Sequence, residues 1–254
     1  MSHQQITNAK GQNIAYFHHQ GDKGLPTLVF CGGFKSDMMG SKATYLEAQA
    51  KVRGQSYVRF DYTGHGFSDG SFVDGCIGDW CADALCIIDH VAQGDILLAG
   101  SSMGGWISLL CAVKRPERIR AVLGIAAAPD FTRNLLDQFS DSQRQEMRDN
   151  GCVSLPNDYS DEPYIFTQKL IDDGTENFVF NGDDSVAISC PIYLVQGMVD
   201  KEVPWQTALD ISARVVSDNV TVELIKDGGH SVSRPEDLQR LNSAVEHLNG
   251  LIGR

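Results

Sequence analysis

Six apolar runs recur along the chain at spacings that leave room for a helix between most of them, and each closes on glycine, proline or aspartate or a short loop rich in them. They are TLVFCGG (27–33), SYVRFDYTGHG (56–66), DILLAGS (95–101), AVLGIAAAP (121–129), CPIYLVQGMVD (190–200) and VTVELIKDGGH (220–230). Short continuous apolar runs closed by such residues are the pattern of strands buried on both faces, and those belong to parallel sheets. Two further strands are expected at 3–8 and 13–19, joined by a turn at AKGQ, which brings the total to eight. Helical periodicity fills residues 42–52, 79–92, 103–114, 205–216 and 236–252, with Trp80, Ala84, Ile88 and Val91 on one face of the second. For the last helix, SRPE predicts Ser233 as the cap, Pro235 in the first turn and Glu236 reaching back. Strands alternating with such helices make βα units, whose ligands bind beyond the carboxyl ends of the strands.

The interval from about 130 to 188 breaks this rhythm. It is rich in Asp, Asn, Gln and Ser but keeps Leu135, Leu136, Phe139, Tyr164, Phe166, Phe178 and Phe180. That is too long for a loop inside a compact domain, so it predicts a small inserted cap of short helices over the sheet's carboxyl edge. No linker or repeat divides the rest, and 254 residues suit one α/β domain carrying that insertion.

Charge narrows the partners. With 33 Asp and Glu against 21 Lys and Arg, the formal charge of -12 repels phosphate backbones and anionic lipid, so nucleic acid is excluded as a partner. Residues 1–26 carry no basic start followed by an apolar run, and no segment has the length of a membrane span. A soluble, cytoplasmic protein without integral membrane association is the expectation. Seven cysteines, an odd number set among apolar neighbours, fit buried thiols in a reducing compartment; Cys76, Cys81 and Cys86 lack the spacing of a zinc site, so no metal is expected.

Gly100-Ser101-Ser102-Met103-Gly104 lies between a strand and a helix and has the form G-x-S-x-G. In that setting the middle serine sits on a strained turn, and side chains two positions to either side would collide with each other and with the next strand. Ser102 alone has glycine at both positions, which selects it over Ser101 as a nucleophile. A serine hydroxyl needs an imidazole base, itself oriented by a carboxylate, and on a strand-turn-helix elbow the chain order is serine, acid, histidine. Asp200, after IYLVQG, and His230, after VTVELIKDGG, satisfy that order. Asp130, after IAAAP, is a second candidate acid. His65, in a glycine-rich loop after a strand, is assigned no chemical role. Charge developing on a carbonyl oxygen calls for fixed N–H donors, which nominates the backbone amides of Met103, at the helix start, and Phe34, in the loop after TLVFCGG.

These features resemble the α/β-hydrolase superfamily over nearly the whole chain. The CGGF loop, FDYTGHGFSDG, the serine elbow, GMVDKEVP and GGH all take part. GFKSDMMGSKA, CPIYLVQGMVDKEVPW and SLPNDYSDEPYIFTQKLIDDG narrow the likeness to small-capped hydrolases related to the mitochondrial palmitoyl-protein thioesterase that also cleaves acyl glucuronides, and to their bacterial relatives. The chain departs from the pattern at Cys31, where Pro or His is commoner, and in its acidic cap. The resemblance implies an α/β-hydrolase fold, a mostly parallel eight-stranded sheet flanked by helices with a small helical cap. It also implies a serine hydrolase for small-molecule esters or thioesters that uses Ser102, Asp200 and His230 and no cofactor. The same residues would serve a carboxylesterase for small or aryl esters. A carbon-carbon bond hydrolase would need a keto-substrate site not visible in the sequence, and an intact triad argues against an inactive binding protein.

Overall fold

Strands that are apolar at most positions along both faces are stable only with both faces covered, and that requirement organises the structure. The computed structural model describes residues 3–133, 135–156, 163–182 and 184–252. In chain order the elements are β1 (Gln4–Thr7), β2 (Asn13–His19), β3 (Thr27–Cys31), α1 (Ser41–Arg53), β4 (Tyr57–Phe60), α2 (Ile77–His90), β5 (Ile96–Ser101), α3 (Met103–Lys114) and β6 (Ile119–Ile125). There follow α4 (Leu135–Gln138), α5 (Asp141–Asn150), β7 (Cys152–Leu155), β8 (Tyr164–Thr167), α6 (Gln168–Glu176), β9 (Ile192–Gly197), α7 (Gln206–Arg214), β10 (Val220–Ile225) and α8 (Pro235–Ile252).

Eight strands form one sheet in the order β1-β2-β4-β3-β5-β6-β9-β10. The first two pairings, β1 with β2 and β2 with β4, are antiparallel, and all the others are parallel. Alternation along β3 divides the core: Val29 and Cys31 join a cluster with α2 and α3, while Leu28 and Phe30 join one with α1 and α8. The expected helical face is buried, with Trp80, Ala84 and Ile88 in the first cluster and Val91 just beyond the helix end. This is the α/β-hydrolase fold. From β3 the chain runs to β4 on one side, whereas β5 leads to β6 on the other, so a crevice opens between the carboxyl ends of β3 and β5.

Two local expectations need correction. The segment between β6 and β9 is not purely helical: β7 and β8 pair as an antiparallel ribbon, Cys152 opposite Thr167 and Leu155 opposite Tyr164. Its strands are only four residues long, too short for alternation to register against the polar surroundings. The part of the quoted cap motif at 157–162 lies outside the described residues. At the last helix the cap shifts by one residue. The Asp237 carboxylate, not Glu236, reaches back to the N–H, and that N–H belongs to Arg234 at 3.1 Å. The Arg234 guanidinium also grips Asp237, holding its carboxyl below the usual range.

Candidate active site

The elbow is where sequence chemistry becomes geometry. Ser102 has φ 53° and ψ −119°, a backbone conformation that non-glycine residues adopt only under local compulsion. Three bonds enforce it. Ser102 donates its N–H to Ile125 O at 2.9 Å, and its own carbonyl accepts from Gly105 at 2.8 Å and Ala128 at 3.1 Å. The flanking glycines are steric necessities, for a Cβ on Gly100 would lie 2.2 Å from Gly104 O and one on Gly104 only 2.1 Å from Cys31 O. Because both obstacles are backbone, the strand and helix would have to part. Gly104→Ala is therefore expected to destabilise the fold by on the order of 3–5 kcal/mol, at the upper end of single-site effects. A urea unfolding midpoint close to the parent's would refute this steric account.

The hydroxyl presented by the turn meets His230, whose Nε2 lies 3.0 Å from Ser102 Oγ. On its other side, His230 Nδ1 lies 2.9 Å from Asp200 Oδ2. With Nδ1 protonated toward the carboxylate, Nε2 is the acceptor that faces the serine hydroxyl. Burial alone would raise the Asp200 carboxyl, but the His230 bond and the backbone N–H groups of Val203 and Glu202 outweigh it and hold the group below its usual range. A fourth donor, the Gln196 amide, reaches Asp200 Oδ2 at 2.8 Å. The Asp200 carboxylate is thus ionised, with both oxygens hydrogen-bonded.

The two residues that carry the nominated amides border the same cavity. Met103 is the first residue of α3, and its N–H has no described acceptor. Phe34 follows Gly33, whose Cα faces Ser102 so closely that an added Cβ would touch the serine's own at 3.5 Å. Phe34 and Met103 both line one cavity of about 340 Å³ with Ser102 and His230. The Phe34 ring stacks on Phe166 at 5.3 Å and packs edge-on against Phe131, so the loop after β3 and the β7–β8 ribbon share one aromatic wall.

Asp130 lies elsewhere in role. Its carboxylate accepts the N–H groups of Val179 at 2.7 Å and Phe180 at 2.9 Å, and it pairs with Arg133. It ties the returning end of the insertion to the end of β6. His65 sits behind Phe72 and Trp80, only 4% exposed, with Nδ1 3.2 Å from Thr63 O and Nε2 without a partner among the described residues. Burial pushes its pKa down to about 4. Between the ordinary value of about 6.5 and that value the unfolded chain binds the proton and the folded chain does not, so stability falls as pH drops through this window. Urea unfolding at pH 7 and pH 4.5 is expected to show a larger loss in the parent than in His65→Gln, with equal losses counting against it.

Three neighbours went unread in the sequence. Gln196 is a buried amide inside the apolar run IYLVQG, and that isolated polarity was its signal. Glu202 places Oε2 3.4 Å from His230 Nε2. Lys42, in the first turn of α1, enters the cavity wall.

Comparison with known proteins agrees with this architecture. Residues 28–241 match the profile described as the alpha/beta hydrolase family. The human mitochondrial palmitoyl-protein thioesterase ABHD10 is 35% identical over 237 residues, covering 93% of this chain and 76% of its own. A solved structure from Agrobacterium vitis S4 superposes with a TM-score of 0.92 at 36% identity, covering 97% of this chain and 98% of the other. The structure of mouse alpha/beta hydrolase domain-containing protein 10 gives 0.88 at 33% identity, with 98% of both chains covered. The mammalian relatives are named as mitochondrial proteins, which overturns the cytoplasmic location expected from the amino-terminal residues. Among the described residues, no helix is long and apolar enough to cross a membrane.

Proposed function

This chain belongs to the alpha/beta hydrolase family, and from that premise we propose that it is a serine hydrolase cleaving carboxylic thioesters or esters through an acyl-enzyme. The observation that carries the reading is the unbroken run of contacts from Ser102 Oγ through the His230 ring to a buried, ionised Asp200. In the first step Ser102 Oγ attacks the substrate carbonyl carbon as His230 Nε2 takes the hydroxyl proton. The oxygen of the tetrahedral intermediate is stabilised by the N–H groups of Met103 and Phe34, the former at a helix start where the dipole favours negative charge. Collapse expels the thiolate or alkoxide, which leaves with the proton from Nε2. Water then attacks the acyl-enzyme by the same route and frees Ser102.

Residues of the insertion at about 130–188 serve as a cap in this reading, within one domain. Phe131, Tyr164 and Phe166 line the cavity beside Phe34 and offer an apolar wall to an acyl chain. The relatives named as palmitoyl-protein thioesterases, at 34–35% identity, support a thioester substrate over a small aryl ester. The test is a fluorophosphonate probe followed by rates on a thioester and an oxygen ester of one acyl chain. Adduct on the Ser102 peptide and turnover of the thioester are expected. A folded protein that neither labels nor turns over either substrate would overturn the proposal.

A further inference from the structure

Beside the catalytic cavity a second, smaller one of about 120 Å³ opens at the amino end of α1, and Lys42, Ser36 and Ser101 line both. Its polar groups are unusually idle. The helix begins at Gly40 without a side-chain cap and with no acidic residue in its first turn, and the N–H groups of Ser41, Lys42 and Ala43 have no described acceptor. A lysine at this end opposes the helix dipole, which favours anions there. Lys42 Nζ donates to Ser231 O at 2.5 Å and pairs with no carboxylate among the described residues, so two of its three donors are unused. Burial lowers its pKa to about 8, and an anion beside it would restore the charged form. Ser101 is the independent sign: it is only 6% exposed, its hydroxyl bonds to no described residue, and it borders both spaces. Two carboxylates share these walls: Asp37 lines the smaller cavity with Oδ1 accepting the Met39 N–H, and Glu202 lines the larger one with Oε2 against His230.

We propose that Lys42, Ser101 and the amino end of α1 form a subsite for a carboxylate or phosphate oxyanion carried by the leaving group of the substrate. The leaving-group side follows from Lys42 being anchored to Ser231, next to the imidazole that must protonate the departing atom. The aromatic wall is left to the acyl chain. This inference rests on the serine-hydrolase reading and names the substrate class of that site.

The experiment compares three thioesters with the same octanoyl chain: that of 3-mercaptopropionate, that of its methyl ester, and that of 2-mercaptoethyl phosphate. The parent enzyme is expected to favour at least one anionic thioester over the neutral one, and the pair of anions tells carboxylate from phosphate. In Lys42→Met the anionic-to-neutral ratio of kcat/KM should fall about tenfold or more, the worth of a charge-assisted hydrogen bond, chiefly through KM. Lys42→Arg should restore most of the ratio, and Ser101→Ala should lower it less. Equal ratios in the parent and Lys42→Met, or no anionic preference in the parent, would overturn the subsite. Failure to hydrolyse even the neutral thioester would instead strike at the serine-hydrolase reading.

Discussion

On the proposed mechanism, Ser102→Ala is expected to lower kcat by about a million-fold and to abolish labelling by a fluorophosphonate, because removal of the nucleophile leaves only binding and oxyanion contacts to assist water. The fold should survive. The strain at φ 53° is imposed by backbone bonds to Ile125, Gly105 and Ala128, none of which uses the hydroxyl. Intact-protein mass after substrate addition is the check: the parent should show a transient acyl adduct under rapid quench, and the variant none. An adduct persisting in the Ala variant would move the nucleophile elsewhere, with Ser101 the first place to look.

The second large effect belongs to the acid. Asp200→Asn is expected to reduce turnover by about ten-thousand-fold while leaving the fold largely intact, since an amide at this position favours the wrong imidazole tautomer and cannot balance the imidazolium. The side chain is buried and accepts four donors, from His230, Gln196, Glu202 and Val203. An asparagine keeps only one acceptor oxygen and adds N–H groups facing N–H groups, so some loss of local order accompanies the loss of rate. Asp130→Asn should do the reverse. Its carboxylate holds Val179 and Phe180, so melting temperature should fall while turnover changes little. A collapse of rate in Asp130→Asn with Asp200→Asn near normal would reverse the assignment of the acid.

The central sheet was legible because its information is local. A run such as TLVFC is apolar at four of its five positions and buried at all five, and only a strand covered on both faces hides it. The serine was legible for a related reason. Two glycines spaced about one residue are a steric signature, and both prove to sit against backbone that no Cβ could share. Asp200 and His230 came from chain order at strand ends. The β7–β8 ribbon was missed since four-residue strands carry too little alternation to stand out in an acidic, polar stretch. The cap of α8 slipped by one because Glu236 and Asp237 offer equivalent carboxylates in sequence; Arg234 pairs with both, and only the buried Asp237 takes the Arg234 N–H.

What the sequence determined alone was the succession of the eight sheet strands and the helices between them, the bend that exposes Ser102, and the choice of Asp200 and His230 as its partners, all written in residues a few positions apart or at the ends of predictable strands. What only the tertiary structure decided was the company those residues keep. Phe34 against Phe166, Asp130 tied to the far end of the insertion, and Lys42 sharing a cavity wall with Ser101 each join segments distant in the chain. Such meetings depend on the closing of the whole sheet, and no local pattern of side chains encodes them.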